Sequence, residues 1–531
     1  MKKAGRKSPF PQTYALIALL ALGAALRVYR LSAQSFWYDE SYQVQVSGQP
    51  LLRTLRALLT DSPDYGPFSH VLFNLWLRIS EGDFWARLLP ALCGLLAVYV
   101  VYVFCLRICG PRTGLAAAFL LAISPIHIWY SQEARAYSLV VLLNTLSMLY
   151  FINSIDPGRR KHRALYVLVS VCALYTHPYA IFTIAAQLLY ALVALRRQPS
   201  LRLRTLDIAA AVALYLPWAY FMSTMLGRTI GGPKSVGPTV LAYSLYSFTF
   251  GYSVGPSVDE LHHQASIGSY IPYLRIIAPL AAVYGLLLLR GLAAGANERR
   301  IPRRDLLLCA WFAFPLLGAY AASQLTPVTY NVRYVLAALV PYLTFIAMGV
   351  ASLKRTQWRT IALASLALTS LYSIRNLYTD PRYFKGDTRS AALYLNRAAR
   401  PGDVVAVVDW RSFVRYYTGE APWFTMSGEE PQRLLRLGSG AYKRLWLVLA
   451  REMAVDPHGQ LRGEMRRRYT VLSDRRYPNL HLVCYELEGS AGGRALGGDA
   501  SNSRPVAADR SPNRSSHPVG SPAAAPGLHI R

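Results

Sequence analysis

Two adjacent carboxylates, Asp39 and Glu40, stand in the stretch QSFWYDESY at 34–42, framed by Phe36, Trp37, Tyr38 and Tyr42. A carboxylate that is shielded from water and within hydrogen-bond reach of a hydroxyl can take its proton as a general base. Two neighbouring carboxylates, buried further by aromatic rings, raise one another's affinity for that proton. A second polar set lies in SPIHIWYSQEARAYS at 124–138, which carries Gln132, Glu133 and Arg135. His177 stands before Pro178 at a break between two apolar runs, and Arg333 lies in YNVRY at 330–334. Acidic and basic groups of this kind, gathered at one place, suit an active site. Taken singly they are also what a membrane surface shows: aromatics form interfacial belts, and Glu133 can pair with Arg135.

These residues act together only if one scaffold brings them to one side. The chain has 531 residues, 53% of them hydrophobic and 16% charged, whereas soluble chains carry about a quarter charged residues. Repeated apolar runs of roughly 15–20 residues mark a polytopic α-helical membrane protein. The net charge of +29 would suit nucleic acid. The basic residues, however, cluster in short loops between apolar runs, as cytoplasmic loops do, so no nucleic-acid partner is expected. Cys93, Cys105, Cys109, Cys172, Cys309 and Cys484 have the spacing of neither a disulfide framework nor a zinc site, and read as small packing residues.

About eleven transmembrane helices are expected, at 13–26, 88–106, 114–130, 137–154, 164–175, 180–195, 205–225, 274–292, 305–323, 335–353 and 360–374. Basic clusters at 2–7, 107–112, 159–163, 196–204, 290–304 and 354–359 are separated by even numbers of these segments. All of them then face the cytoplasm. The first segment reads as a retained signal anchor in the cell (inner) membrane, with the N-terminus cytoplasmic. The loops at 28–87, 131–136, 176–179, 226–273 and 324–334 fall outside, which puts all the polar motifs on one face. Within the first of these loops, 50–59 and 68–79 are patterned as helices lying on the membrane surface. A transporter should also carry ionisable groups near the bilayer midplane, but helix centres such as 141–148 and 361–369 are uncharged.

Residues 1–375 thus form the membrane domain, and 376–488 a small α/β domain outside it. Helices are expected at 388–399 and 431–437, and strands at 404–409, 444–450, 469–473 and 480–487. No Gly-x-Gly follows these strands, so nucleotide binding is not expected. The tail at 489–531, rich in Gly, Ser, Pro, Ala and Arg, has the composition of a disordered segment.

The ordered set FWYDESY, Gly66-Pro67-Phe68, FWARLLPALCGLLAVYVVY and SPIHIWYSQEARAYSL, with VRY before the tenth helix, resembles the membrane glycosyltransferases of the GT-C superfold. It is most similar to the bacterial family 39 type. That type includes protein O-mannosyltransferases, and the transferases that attach aminoarabinose to lipid A are related to it. The resemblance covers about 13–353. Many members carry His-Pro-Pro-Leu in the first loop, where this chain has Tyr65-Gly66-Pro67-Phe68. Any metal or substrate contact made by that His is therefore in question here.

The resemblance implies transfer of a sugar from a polyprenyl-phosphate donor to a lipid, glycan or protein acceptor on the outer face, with inversion. No nucleotide cofactor is implied, and a divalent metal is left open. By position in the motif Asp39 is the base. Glu40 is its orienting neighbour, or binds acceptor or metal. Arg333, then Arg135, then His177 would meet the donor phosphate, because a planar guanidinium matches phosphate oxygens and stabilises charge on the leaving group. Glu133, with Gln132 beside it, would hold a sugar hydroxyl, a metal or Arg135. Trp37, Tyr38 and Tyr42 would stack on sugar faces or pack on lipid. The competing function is a lipid-linked sugar transporter or flippase without transfer chemistry.

Overall fold

A computed structural model of the chain describes residues 10–60, 66–156, 158–198, 200–229, 236–257, 260, 267–294, 303–426, 442–450, 456 and 459–487. The predicted helix at 431–437, the basic cluster at 2–7, Tyr65 and the tail at 489–531 lie outside the described residues.

Helix α1 (Phe10–Val28) leads into three short helices, α2 (Tyr38–Ser47), α3 (Leu51–Thr60) and α4 (Pro67–Leu77). The apolar bundle continues with α5 (Asp83–Ile108), α6 (Pro111–Ala122), α7 (Pro125–Ser131), α8 (Tyr137–Asn153), α9 (Arg160–Thr176), α10 (Ala180–Ala194) and α11 (Ser200–Thr229). Then come α12 (Thr239–Phe250), α13 (Leu274–Ala294), α14 (Arg304–Leu325), α15 (Leu339–Ser352) and α16 (Thr356–Thr379). A 3₁₀ turn, Val332–Ala338, opens onto α15 and carries Arg333. Five described helices are long and apolar enough to cross a bilayer, or six if α6 and α7 act as one bent span. The α8 and α10 helices are apolar but shorter than the ~20 residues of a straight span.

Two expectations need correction. The third segment, read as one helix over 114–130, is two helices bent by 59°. Pro125 has no N–H to give and its ring crowds the carbonyl of Leu121. That carbonyl and the one of Ala122 instead accept from the buried guanidinium of Arg27, at 3.1 and 3.0 Å. In an apolar surround, backbone groups released by a break must find such partners. The long loop at 226–273 also contains a helix, α12, with Ser244, Ser247, Phe248 and Phe250 buried. Its mixture of Ser, Thr and Tyr hides the apolar period.

Close approach of α13 and α15 is set by glycine. A Cβ on Gly291 would collide with the Phe345 carbonyl, and one on Gly349 with the Leu287 carbonyl. Small residues let membrane helices meet backbone to backbone in this way.

After α16, helix α17 (Thr388–Ala398) leads to β1 (Asp403–Val407), α18 (Trp410–Val414), β2 (Trp423–Thr425), β3 (Arg444–Ala450), α19 (Gln460–Arg468), β4 (Thr470–Tyr477) and β5 (Leu480–Glu486). The five strands form one sheet in the order β2-β1-β3-β5-β4. The β1 strand is parallel to β2 and β3, while β5 is antiparallel to β3 and β4. Central β1, β3 and β5 are buried nearly throughout, which is why they read as continuous apolar runs. The edge strand β2 has only three residues and two are exposed, so no pattern announced it.

Candidate active site

Helix α2 begins at the acidic pair. Trp37 is its N-cap, and Asp39 and Glu40 occupy the first turn, where the helix dipole favours negative charge. The two carboxylates have different surroundings. Asp39 is half-buried and its Oδ2 accepts from Arg333 Nη1 at 2.6 Å. Glu40 is fully buried and saturated. Its Oε1 accepts from Arg87 Nε at 2.7 Å and from the Ala134 N–H at 2.8 Å. Its Oε2 accepts from Arg87 Nη2 and Lys385 Nζ, each at 2.8 Å. Burial works against the Glu40 charge, but the Arg87 and Lys385 cations outweigh it and hold the carboxyl at about 2. Glu40 is therefore charged, with both oxygens engaged by protein donors. It fastens α2 to the 132–136 loop.

A cavity of about 100 Å³ opens beside Asp39. Arg135, His177 and Arg333 line it together with Gln43, Tyr137 and Tyr334. The chain thus brings four of the sequence-derived residues, from four separate segments, to one cleft. Arg333 lies over the rings of Tyr137 and Tyr334, 5.6 and 5.4 Å from their centroids. Its backbone N–H donates to Asn331 Oδ1 at 3.1 Å, which fixes the 3₁₀ turn. Arg135 Nη1 donates to Gln43 Oε1 at 3.3 Å. His177 ends α9 in extended backbone, as the following proline demands, and its Nδ1 accepts from the Tyr179 N–H at 3.2 Å. Gly66 belongs to the cleft wall because any Cβ there would strike the Thr176 carbonyl.

Glu133 lies behind the cleft, fully buried. Its Oε1 accepts from the Trp37 indole N–H at 2.6 Å. Its Oε2 has no hydrogen-bond partner among the described residues. Burial raises its proton affinity; nearby Lys385 opposes this, and the Glu40 and Asp39 charges add to it. Trp37 faces this cluster rather than the cleft, with Lys385 Nζ 5.1 Å from its ring centroid.

Three expected substrate contacts are used elsewhere. Gln132 Nε2 donates to the carbonyls of Leu26, Arg27 and Tyr29, at 3.3, 3.1 and 2.8 Å, and so closes the end of α1. The Tyr38 hydroxyl accepts from Arg411 Nε at 3.0 Å. Tyr42 stacks under the same guanidinium, 5.0 Å from its ring centroid. Both tyrosines dock the C-terminal domain, because helix geometry turns them away from the Asp39 face.

Sequence reasoning missed Arg87, Lys385, Gln43 and Tyr137. Arg87 had a signal: it stands in FWARLL, and a cation entering an apolar run requires a counter-charge. Lys385 had none, being 345 positions from Glu40. The first loop does supply a histidine, three residues after Pro67. His70 is buried, and its Nδ1 lies 2.8 Å from Ser47 Oγ and 3.0 Å from Gln43 Nε2. Among the described residues no three His, Cys, Asp or Glu side chains gather as metal ligands. Asp39, Glu40 and Glu133 are each held by a protein donor.

Breaking the Glu40 cluster should be costly. Glu40→Gln strands two buried cations and is expected to destabilise the chain by about 3–5 kcal/mol, read as thermal unfolding in detergent. Glu40 is more acidic here, at about 2, than a free carboxylate near ~4.3. Its share of stability is therefore complete above the higher value and fades as the pH falls toward the lower one. The Gln variant should lack that part of the acid sensitivity.

Residues 62–221 match the family model for dolichyl-phosphate-mannose-protein mannosyltransferases. Among curated proteins, none matches the chain by sequence. Among solved structures, ArnT from Cupriavidus metallidurans in the apo state is similar at 14% identity and a TM-score of 0.50, over 89% of this chain and 98% of that one. The archaeal oligosaccharyltransferase AglB from Archaeoglobus fulgidus, in complex with an inhibitory peptide and a dolichol-phosphate, is similar at 13% identity and a TM-score of 0.51. That match covers 90% of this chain and 74% of AglB. The chain is a multi-pass membrane protein with the GT-C superfold, similar to glycosyltransferase family 39.

Proposed function

We propose that the protein transfers a sugar from a polyprenyl-phosphate donor to a lipid, glycan or protein acceptor on the extracytoplasmic face, with inversion and with Asp39 as general base. The observation that carries this reading is the 2.6 Å Asp39–Arg333 pair at the wall of the cleft. A base for the acceptor and a cation for the leaving phosphate stand in contact there. A donor phosphate that draws the guanidinium away leaves a carboxylate lone pair for the acceptor hydroxyl. As the acceptor oxygen attacks the anomeric carbon, Asp39 takes its proton. The bond to the phosphate oxygen breaks on the opposite side, and the released lipid phosphate keeps the electron pair. Arg333, with Arg135 and His177 on the same wall, meets the charge that develops there. The AglB complex with a dolichol-phosphate supports a lipid-phosphate donor.

The test is reconstitution of the full chain in vesicles with a panel of labelled polyprenyl-phosphate sugars and candidate acceptors. Transfer with an inverted anomeric centre is the expected outcome. Translocation of the donor lipid without transfer would establish the flippase reading instead. Single cysteines at Asp39, Arg160 and Arg333, labelled from either side, check the orientation. Asp39 and Arg333 should label from outside and Arg160 from inside; labelling of Arg160 from the same side as Asp39 would overturn the topology.

A further inference from the structure

We infer that Lys385, which belongs to the entry segment of the C-terminal domain, is a positioning residue of the catalytic site, so that docking of that domain and alignment of Asp39 are one event. The inference takes its catalytic meaning from the transferase reading above.

Lys385 lies between the last apolar helix and α17. Its ammonium is almost wholly buried and 2.8 Å from Glu40 Oε2. It lies over two indoles, 5.1 Å from the Trp37 ring centroid and 5.6 Å from that of Trp129. The main chain is fastened at the same point. The Lys385 N–H donates to Gln34 Oε1 at 2.9 Å, and Ser35 Oγ donates to the Gly386 carbonyl at 2.7 Å. Arg389 donates to the carbonyls of Ser32 and Gln34, each at 3.0 Å, and to Asp83 Oδ2 at 2.6 Å. The entry segment is thus stitched to Ser32 and to the first two residues of QSFWYDESY, Gln34 and Ser35.

What Lys385 holds explains its reach. Glu40 takes one cation, Arg87, from the membrane bundle and one, Lys385, from the outer domain. Its other contacts are the Trp37 N–H at the start of α2 and the Ala134 N–H, between Glu133 and Arg135. Glu40 therefore sets α2, and with it Asp39, against the loop that carries Arg135. Trp37, under the Lys385 ammonium, holds Glu133 through its indole N–H. Without Lys385, Glu40 keeps Arg87, so the bundle persists. The start of α2 and the 132–136 loop then lose the cation by which the outer domain holds Glu40 and Trp37, while the Tyr38 and Tyr42 contacts to Arg411 remain. Asp39 touches the cleft, whereas Lys385 acts through Glu40 and Trp37.

The full-length protein and its Lys385→Met and Lys385→Arg variants decide this by two readouts. In hydrogen exchange, the Met variant is expected to exchange about tenfold faster over 36–48 and 132–137, as loss of a charged hydrogen bond implies. The β1 and β3 strands should be unchanged. In kinetics, its kcat should fall by about 100-fold, with KM for the lipid donor within about threefold, since mispositioning costs rate rather than binding. The Arg variant should recover most of both. Wild-type exchange over 36–48 in the Met variant would overturn the inference. Acceleration spread equally through β1 and β3 would also overturn it, because Lys385 would then only stabilise its own domain. If the wild type transfers no sugar, the transferase reading fails by itself, and the exchange readout still decides whether Lys385 orders α2.

Discussion

Replacing Asp39 with Asn is expected to slow sugar transfer by about 10²–10⁴-fold, the range a positioned general base contributes. The substitution is nearly isosteric. Its amide oxygen can still accept from Arg333, so the cleft and the 3₁₀ turn should keep their shape. It cannot take a proton from the acceptor. Undecaprenyl phosphate, used as a probe of the phosphate site, should bind the variant within about threefold of wild type, because only a transition-state interaction is removed. Asp39→Glu keeps the carboxylate but pushes it toward Arg333, and should fall between the two. Single-turnover transfer with saturating donor separates these cases from an effect on product release.

Removing the cation should be the other severe loss. Arg333→Met is expected to cut kcat by about 10²–10³-fold, the size seen when a preorganised donor to a developing oxyanion is removed. Unlike the Asn variant, it should also weaken undecaprenyl phosphate binding, because in the proposed mechanism the same guanidinium meets the ground-state phosphate. Arg333→Lys should recover only part of the rate. A lysine offers a point charge where the guanidinium offers a fork, and it cannot lie flat over Tyr137 and Tyr334 as Arg333 does. Arg135 reaches Gln43 only at 3.3 Å, so its Met variant should lose less, about tenfold, the worth of a typical net hydrogen bond.

The sequence made the cleft legible because each part of it is local. The motif DE follows α1, Arg135 follows α7, His177 ends α9 and Arg333 opens onto α15, and the parity of basic clusters put all four on one side. The division of labour within the pair was not legible. Successive residues on a helix are turned by about 100°. Asp39 and Gln43, four apart, face the cleft, while Glu40 faces the buried cations. Adjacency suggested partnership, and the helix assigns the two carboxylates to different surroundings. The same rotation turns Tyr38 and Tyr42 toward Arg411. Lys385 escaped notice because its contact with Glu40 joins segments 345 positions apart, which no local pattern encodes. The break before Pro125 could have been read from the proline, but the Arg27 guanidinium that satisfies the freed carbonyls could not.

In the proposed mechanism Asp39 deprotonates an acceptor that displaces a lipid phosphate in one step. Single-turnover transfer from a polyprenyl-phosphate sugar labelled at its anomeric carbon, in reconstituted wild type and Asp39→Asn, tests it most directly. One product of inverted configuration from the wild type is predicted, formed at least about 100-fold more slowly by the variant. A retained configuration, or transfer by the variant at the wild-type rate, would contradict it.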